Sequence, residues 1–297
     1  MQEITYKKIH SSFKLNGIHI TRDEMFYVAY CFIKEGKPFE QHIGTFLLDW
    51  FDEKPYIELT TSGSTGVPKV VRIDKQAMLD SALATGDFFG LEPGDTMLHC
   101  LPTNYVAGKM MWVRSFILGL EMKFVEPNSN PLDKIDETFD FCAMIPLQAK
   151  NSLKKLKQKR IKKLIIGGVK IHKALEDELV KLPIDIYETY GMTETITHIA
   201  AKKIGSVAFT TLPNVTVSSD NRECLVIKAK KISKNEIVTN DIVKLISDTQ
   251  FIWEGRFDNV INSGGIKLIP EQIEDKLSTR IPRRYFVIGK DDVVLGE

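Results

Sequence analysis

Residues 60–69 read Thr-Thr-Ser-Gly-Ser-Thr-Gly-Val-Pro-Lys, five hydroxyl side chains and two glycines closed by a lysine. Thr61, Ser62, Gly63, Ser64, Thr65 and Gly66 offer N–H and O–H donors, and Lys69 adds a cation, a set that suits phosphate. The chemistry differs from that of a Walker loop, because Lys69 stands three residues past Gly66 and is followed by Val70. A second cluster, Thr189-Tyr-Gly-Met-Thr-Glu-Thr195, puts a ring (Tyr190), a flexible glycine (Gly191), a hydroxyl (Thr193) and a carboxylate (Glu194) together. A carboxylate is the hard oxygen ligand that Mg²⁺ takes. Gly167-Gly168 closes an apolar run, where a planar ligand could lie against bare backbone or a strand could simply turn.

These groups need elements to hold them. Pro68 lacks an N–H and Val70, Val71 and Ile73 are β-branched, so the hydroxyl-rich loop is expected between two strands, with 56–60 as the first. Residues 1–55 predict two amphipathic helices, around Met25–Tyr30 and Phe46–Phe51, packed beside the loop. Asp74 predicts an N-cap, with Ala77, Met78, Ser81, Ala82 and Thr85 on one side of a helix ending at Gly90. Buried strands are expected at 97–101, 164–166 and 184–188. Residues 204–253 alternate in short runs and predict a small antiparallel sheet. A helix is expected over 270–278.

Composition narrows the function classes. The chain has 297 residues, 43% hydrophobic and 27% charged, which is ordinary for about two globular domains. A net charge of +1 provides no global field toward nucleic acid or an anionic membrane. Residues 150–163 hold eight basic residues and no acid, yet lack aromatic interleaving; they read as a solvated helix face or a contact for phosphates, not a nucleic-acid site. Cys31, Cys100, Cys142 and Cys224 are scattered, against a zinc cluster or disulfide scaffold. With no apolar leader and no run of about eighteen apolar residues, the expectation is a cytoplasmic protein without membrane insertion. His99 and His198 have no partner histidine at ligand spacing and are read as structural.

Residues 61–69 are similar to the phosphate loop of the adenylate-forming enzymes: acyl-CoA synthetases, luciferases and peptide-synthetase adenylation domains. The 190–194 block resembles that family's second motif, and Gly255-Arg-Phe-Asp through Ser263-Gly-Gly-Ile-Lys267 its junction between large and small domains. Thr239-Asn-Asp241 lies between them in the family's order. The resemblance implies an α/β fold. A large N-terminal adenylate-forming domain of mixed sheets and helices with a small antiparallel subdomain would occupy residues 1–257, followed by a truncated α+β C-terminal domain at 258–297, in which the residues from Tyr285 would form a strand and turn. The lead-in before the loop is shorter than the family's, and no residue up to Glu297 matches its adenylation lysine, so slow adenylate formation is expected.

The same resemblance assigns roles. Lys69, Thr193 and Glu194 would act in catalysis, with Glu194 on Mg²⁺; Tyr190 would stack on adenine. Gly167 and Gly168 would lie against adenine or the acyl group. Asp241 would accept both ribose hydroxyls, Arg256 would hold ribose or phosphate, Asp258 would be the hinge, and Gly264-Gly265 would face the thiol arm of coenzyme A. Tyr105 stands where relatives place the aromatic that gates the acyl pocket, the alternative being an aromatic packed at a helix start. Lys109 would pair a substrate carboxylate or lie exposed. The implied reaction joins a small carboxylic acid to coenzyme A at the expense of ATP, and Tyr105 through Met111 is most similar to the o-succinylbenzoate ligases of menaquinone synthesis. An adenylation domain loading a carrier protein and a non-catalytic nucleotide binder are the alternatives.

Overall fold

The computed structural model describes residues 5–61, 69–278, 280, 281, 283, 285–290 and 292. The helix Arg22–Glu35 opens with a capping box, in which the Thr21 hydroxyl accepts the Glu24 N–H and the Glu24 carboxylate accepts the Thr21 N–H. Its neighbour Pro38–Phe51 starts on a proline, whose missing N–H costs nothing in a first turn, and buries Phe46, Leu47, Trp50 and Phe51. Just beyond it, Asp52 Oδ1 accepts from Nζ of the fully buried Lys75 at 2.7 Å, and the Pro55 carbonyl accepts the Lys75 N–H. This anchors the base of an antiparallel pair, Tyr56–Thr61 and Lys69–Asp74, whose register sets Thr61 opposite Lys69. The two expected strands are therefore present and paired, so that Thr61 and Lys69, which flank the hydroxyl-rich segment, stand side by side. Asp74 Oδ1 then accepts from the N–H groups of Gln76 and Ala77, starting the helix Lys75–Phe89.

Among the described residues thirteen strands form one sheet. Its parallel part runs Asp185–Gly191, Ile161–Ile166, Phe139–Met144, Thr96–His99, Glu121–Phe124 and Lys14–Leu15, in that spatial order. The chain passes from Thr96–His99 outward through the helix Val106–Leu118 to Glu121–Phe124, and then crosses back to Phe139–Met144 on the other side. That reversal opens a crevice at the C-terminal ends of the strands, where ligands bind in open α/β sheets.

The antiparallel strands expected over 204–253 are present: Phe209–Thr211, Thr216–Ser219, Cys224–Lys228, Ile237–Ser247 and Gln250–Arg256. They do not stand as a separate sheet. Asp185–Gly191 pairs in parallel with Ile161–Ile166 on one side and antiparallel with His198–Lys203 on the other, so hydrogen bonding runs through into the antiparallel part. Leu98, Cys142, Leu164 and Ile186 pack in one core cluster, Met97, Phe141, Ile165 and Phe116 in another, so alternate residues of the strands point to opposite faces.

After Arg256 come a short 3₁₀ turn, a hairpin of Ile261–Ser263 with Ile266–Leu268, and the helix Pro270–Leu277, close to the expected 270–278. Gly264 and Gly265 take φ of 56° and 82°, the paired positive values of a tight hairpin turn. The strand expected from 285 is not formed over 285–290, which take no regular secondary structure and pair with no strand among the described residues. Among the described residues no helix is long and apolar enough to cross a membrane.

Candidate active site

Two adjoining cavities sit at the C-terminal ends of the strands. The larger, about 810 Å³, lies where the parallel and antiparallel parts of the sheet meet. Tyr190, Glu194, Asp241, Trp253 and Arg256 line it. Asp241 is only 6% exposed, yet its carboxylate is well supplied with donors. The Tyr190 hydroxyl donates to Oδ2 at 2.6 Å, the Trp253 indole N–H donates to Oδ1 at 3.1 Å, and Arg256 Nη1 stands 3.5 Å from Oδ1. Burial, and then the charge of Asp241, push the Tyr190 hydroxyl well above its ordinary pKa, so it stays protonated and donates. The Tyr190 ring packs edge-on to Phe251 at 5.3 Å, which leaves it half-buried in the cavity wall. Gly191 is required by close approach: a Cβ there would lie 2.3 Å from the Thr197 carbonyl oxygen.

Glu194 is exposed, lines the same cavity and makes no hydrogen bond or ion pair with the described residues. Such a carboxylate fits Mg²⁺, which keeps waters and takes one or two protein oxygens beside substrate phosphates. Among the described residues no group of three or more His, Cys, Asp or Glu side chains could cage a metal, so a cation here would rest mainly on the substrate.

The smaller cavity, about 270 Å³, shares Gly168, Thr189, Gly191 and Met192 with the larger one. Its walls are mostly apolar, including Leu101, Val106, Ala143, Ile165 and Ile196, with Gly167, Thr193, His198 and Arg114 among them. Ile196 has φ 67° and ψ −55°, and the Thr197 N–H donates to the Thr195 carbonyl at 2.7 Å, a γ-turn of the strained positive-φ kind. Arg114 is 2% exposed. Its guanidinium donates to Thr85 Oγ1 at 3.3 Å and Thr197 Oγ1 at 3.2 Å and faces His198 Nδ1 at 3.4 Å; no carboxylate among the described residues pairs with it. Burial lowers its pKa to about 9, which leaves it cationic at neutral pH. Burial first, and then Arg114, hold His198 well below its ordinary value, so its imidazole is neutral.

The structure thus brings Gly167, Gly168, Tyr190, Gly191, Thr193, Glu194, Asp241 and Arg256 to the two cavities. Thr61 and Lys69 sit on the paired strands that carry the hydroxyl-rich loop, whose Ser62, Gly63, Ser64, Thr65 and Gly66 lie outside the described residues. Asp258 accepts from Arg256 and from Asn240 in the 3₁₀ turn that follows the sheet.

Other residues named from the sequence stand outside the two cavities. Tyr105 is 65% exposed at the start of the helix Val106–Leu118 and lines neither cavity. Lys109 is neither exposed nor in a cavity: it is buried with its ammonium 5.0 Å from the Phe46 ring centroid, and burial lowers its pKa against the opposing charge of Asp49. Its helix is enclosed from Gly108 to Leu118, leaving a lysine nowhere to reach water. Gly264 and Gly265 form the hairpin turn and line neither cavity. His99 is structural as expected, buried with Nε2 3.1 Å from Thr103 Oγ1.

Sequence reasoning missed Arg114 and Trp253. The signal for Arg114 was present, a lone arginine inside the apolar run Met110–Leu118. Trp253 had none, because its role depends on the register that sets Gln250–Arg256 beside Ile237–Ser247.

Comparison with known proteins agrees with this geometry. The sequence profile of the AMP-binding enzyme family matches residues 50–231. The 2-succinylbenzoate–CoA ligase of Haemophilus influenzae is 27% identical over 278 residues, covering 84% of this chain and 59% of that protein. The Escherichia coli enzyme of the same name is 26% identical over 230 residues, covering 72% and 50%. The chain spans roughly half to three fifths of the length of these curated relatives. Among solved structures, the acyl-CoA synthetase (AMP-forming)/AMP-acid ligase II-like protein from Dyadobacter fermentans superposes with TM-score 0.70 at 34% identity, covering 88% of this chain and 78% of that one. The o-succinylbenzoate coenzyme A synthetase of Bacillus subtilis, in complex with ATP and magnesium ion, shares the fold at TM-score 0.69 and 18% identity, covering 80% and 58%. With more than half its length matched and the cavities at the expected strand ends, the chain belongs to the AMP-binding enzyme family.

Proposed function

We propose that this chain carries the ATP and acyl sites of an AMP-forming acid–thiol ligase. A carboxylate oxygen attacks the α-phosphorus of ATP, the bond from that phosphorus to the bridging oxygen breaks, and pyrophosphate leaves. The thiol of coenzyme A then attacks the acyl carbonyl and AMP departs. In this reading the larger cavity takes the nucleotide, with the ribose hydroxyls on Asp241 and the adenine against Tyr190. Lys69, the loop hydroxyls and Thr193 meet phosphate, and Glu194 holds Mg²⁺, which supplies charge neutralisation as pyrophosphate leaves. The acyl group lies in the smaller cavity, so that its carboxylate comes up beside Gly168 and Gly191, where the two cavities join. Asp258 is the hinge, dividing residues 1–257 from 258–297.

The observation that carries the substrate class is Arg114. A guanidinium buried at the wall of a mostly apolar cavity, without a carboxylate of its own, is matched by an acid that brings a second carboxylate. Aromatic acids with a second carboxylate fit, and o-succinylbenzoate is the first choice, placing the protein in menaquinone synthesis. The amino-acid alternative fares worse, because among the described residues no Asp or Glu lines the smaller cavity to meet an α-ammonium group.

A panel of mono- and dicarboxylic aromatic acids, read by pyrophosphate release with coenzyme A added or withheld, tests this. Calorimetric binding of the ready-made acyl adenylates, run beside it, separates slow turnover from a missing site. Dicarboxylic acids should lead in both readouts. Binding of no acyl adenylate, or a preference for amino acids, would overturn the reading.

A further inference from the structure

We infer that Trp253 is a positioning residue of the nucleotide site, fixing the Asp241 carboxylate in the orientation that receives a ribose diol. The inference rests on the nucleotide reading of the larger cavity. An ionised carboxylate accepts about four hydrogen bonds, two on each oxygen. Here Tyr190 occupies one position on Oδ2 and Trp253 one on Oδ1, while Arg256 adds its charge at 3.5 Å. Each oxygen therefore keeps one position open, and two adjacent open positions match the two hydroxyls of a vicinal diol. If the indole donor is lost, Oδ1 is free to turn toward Arg256, and the pair of open positions no longer faces the cavity together.

The indole is itself held. Lys170 Nζ lies 5.2 Å from the Trp253 ring centroid and is kept there by Asp275 Oδ2 at 2.6 Å. Lys170, Trp253 and Asp275 all line the larger cavity. The ring is thus clamped from the helix Pro270–Leu277 while its N–H points at Asp241. Trp50 and Trp112, by contrast, are fully buried and their indole nitrogens meet no partner among the described residues. Only Trp253 of the three has its N–H committed to a carboxylate in a cavity.

The test uses Trp253→Phe, which keeps a ring for Lys170 and removes the N–H. Dissociation constants for ATP and for 2′,3′-dideoxyadenosine triphosphate are measured by calorimetry on the full chain and on the variant. The full chain should bind ATP more tightly than the dideoxy form. In the variant the ATP constant should rise about ten-fold, as expected for a charge-assisted hydrogen bond, while the dideoxy constant stays within about two-fold. Equal weakening for both nucleotides would make Trp253 merely structural, and retained discrimination would make it irrelevant; either overturns the inference and leaves the nucleotide reading standing. Equal binding of both nucleotides by the unaltered chain would overturn the ribose reading itself.

Discussion

Tyr190 and Asp241 are separated by 51 positions in the chain, yet the Tyr190 hydroxyl donates to Asp241 Oδ2 at 2.6 Å. This bond crosses from the last parallel strand to the antiparallel part of the sheet, so the larger cavity has a floor pinned from both sides. Asp241 is buried and Tyr190 half-buried, and away from bulk water a hydrogen bond to a charged acceptor is worth more than at the surface. Tyr190→Phe is expected to cost about 1–3 kcal/mol of stability. Urea unfolding without ligand checks it, and an unchanged midpoint would show that the bond adds nothing net.

Arg114 separates substrate classes. Arg114→Met keeps the volume and apolar character of the wall and removes the charge, so binding of adenylates with a second carboxylate should weaken by about ten-fold or more. Adenylates of monocarboxylic aromatic acids should bind as before. Parallel losses for both classes would mean that the guanidinium acts through the wall and not on the ligand.

Glu194 makes no interaction with the described residues, so Glu194→Gln should leave the unfolding midpoint within about 0.5 kcal/mol of the original. Turnover at limiting Mg²⁺ should fall and recover in part at high Mg²⁺. A metal titration identical in both proteins would take Glu194 out of the site.

Two buried histidines predict acid sensitivity. Burial lowers the His99 pKa from its ordinary 6.5 to about 3, and His198 moves in the same direction. The unfolded chain then takes up protons that the folded chain refuses, so this contribution is complete above about pH 6.5 and is lost as pH falls from there toward 3. Each histidine contributes a slope of up to about 1.4 kcal/mol per pH unit in that window. His99→Gln should flatten the dependence of the urea midpoint on pH between 6 and 4. An unaltered slope would show that His99 is protonated in the fold.

Local chemistry made much of this molecule legible. The Asp74 cap, the Gly90 stop and the β-branched run after Pro68 each depend on a few neighbouring residues, and each produced the expected element. The cluster at 190–194 reached a cavity because a strand end fixes it. Lys109 escaped such reasoning because charge alone predicts exposure, whereas its helix is buried from Gly108 to Leu118, packed chiefly against Lys75–Phe89, and the lysine lies over the Phe46 ring. Arg114 and Trp253 gain their meaning only from partners far along the chain, Thr197 and Asp241, which no local window contains. The strand that the resemblance implied from 285 did not form over 285–290, because a strand also needs an edge to join and these residues pair with no described strand.

Ile196 adds a different kind of information about the acyl site. A β-branched residue at positive φ holds about 1–3 kcal/mol of conformational energy that a glycine would release. The rest of the fold bears that load, and it bears it at the wall where the acyl group would rest. The cavity is in this sense spring-loaded: its shape is maintained against local preference by the Thr195 and Thr197 hydrogen bonds around it. An Ile196→Gly protein should still melt at a lower temperature, because Ile196 is 4% exposed in the core and truncating a buried isoleucine costs about 2–5 kcal/mol, more than the strain released, while its acyl site relaxes and tells one acid from another less well.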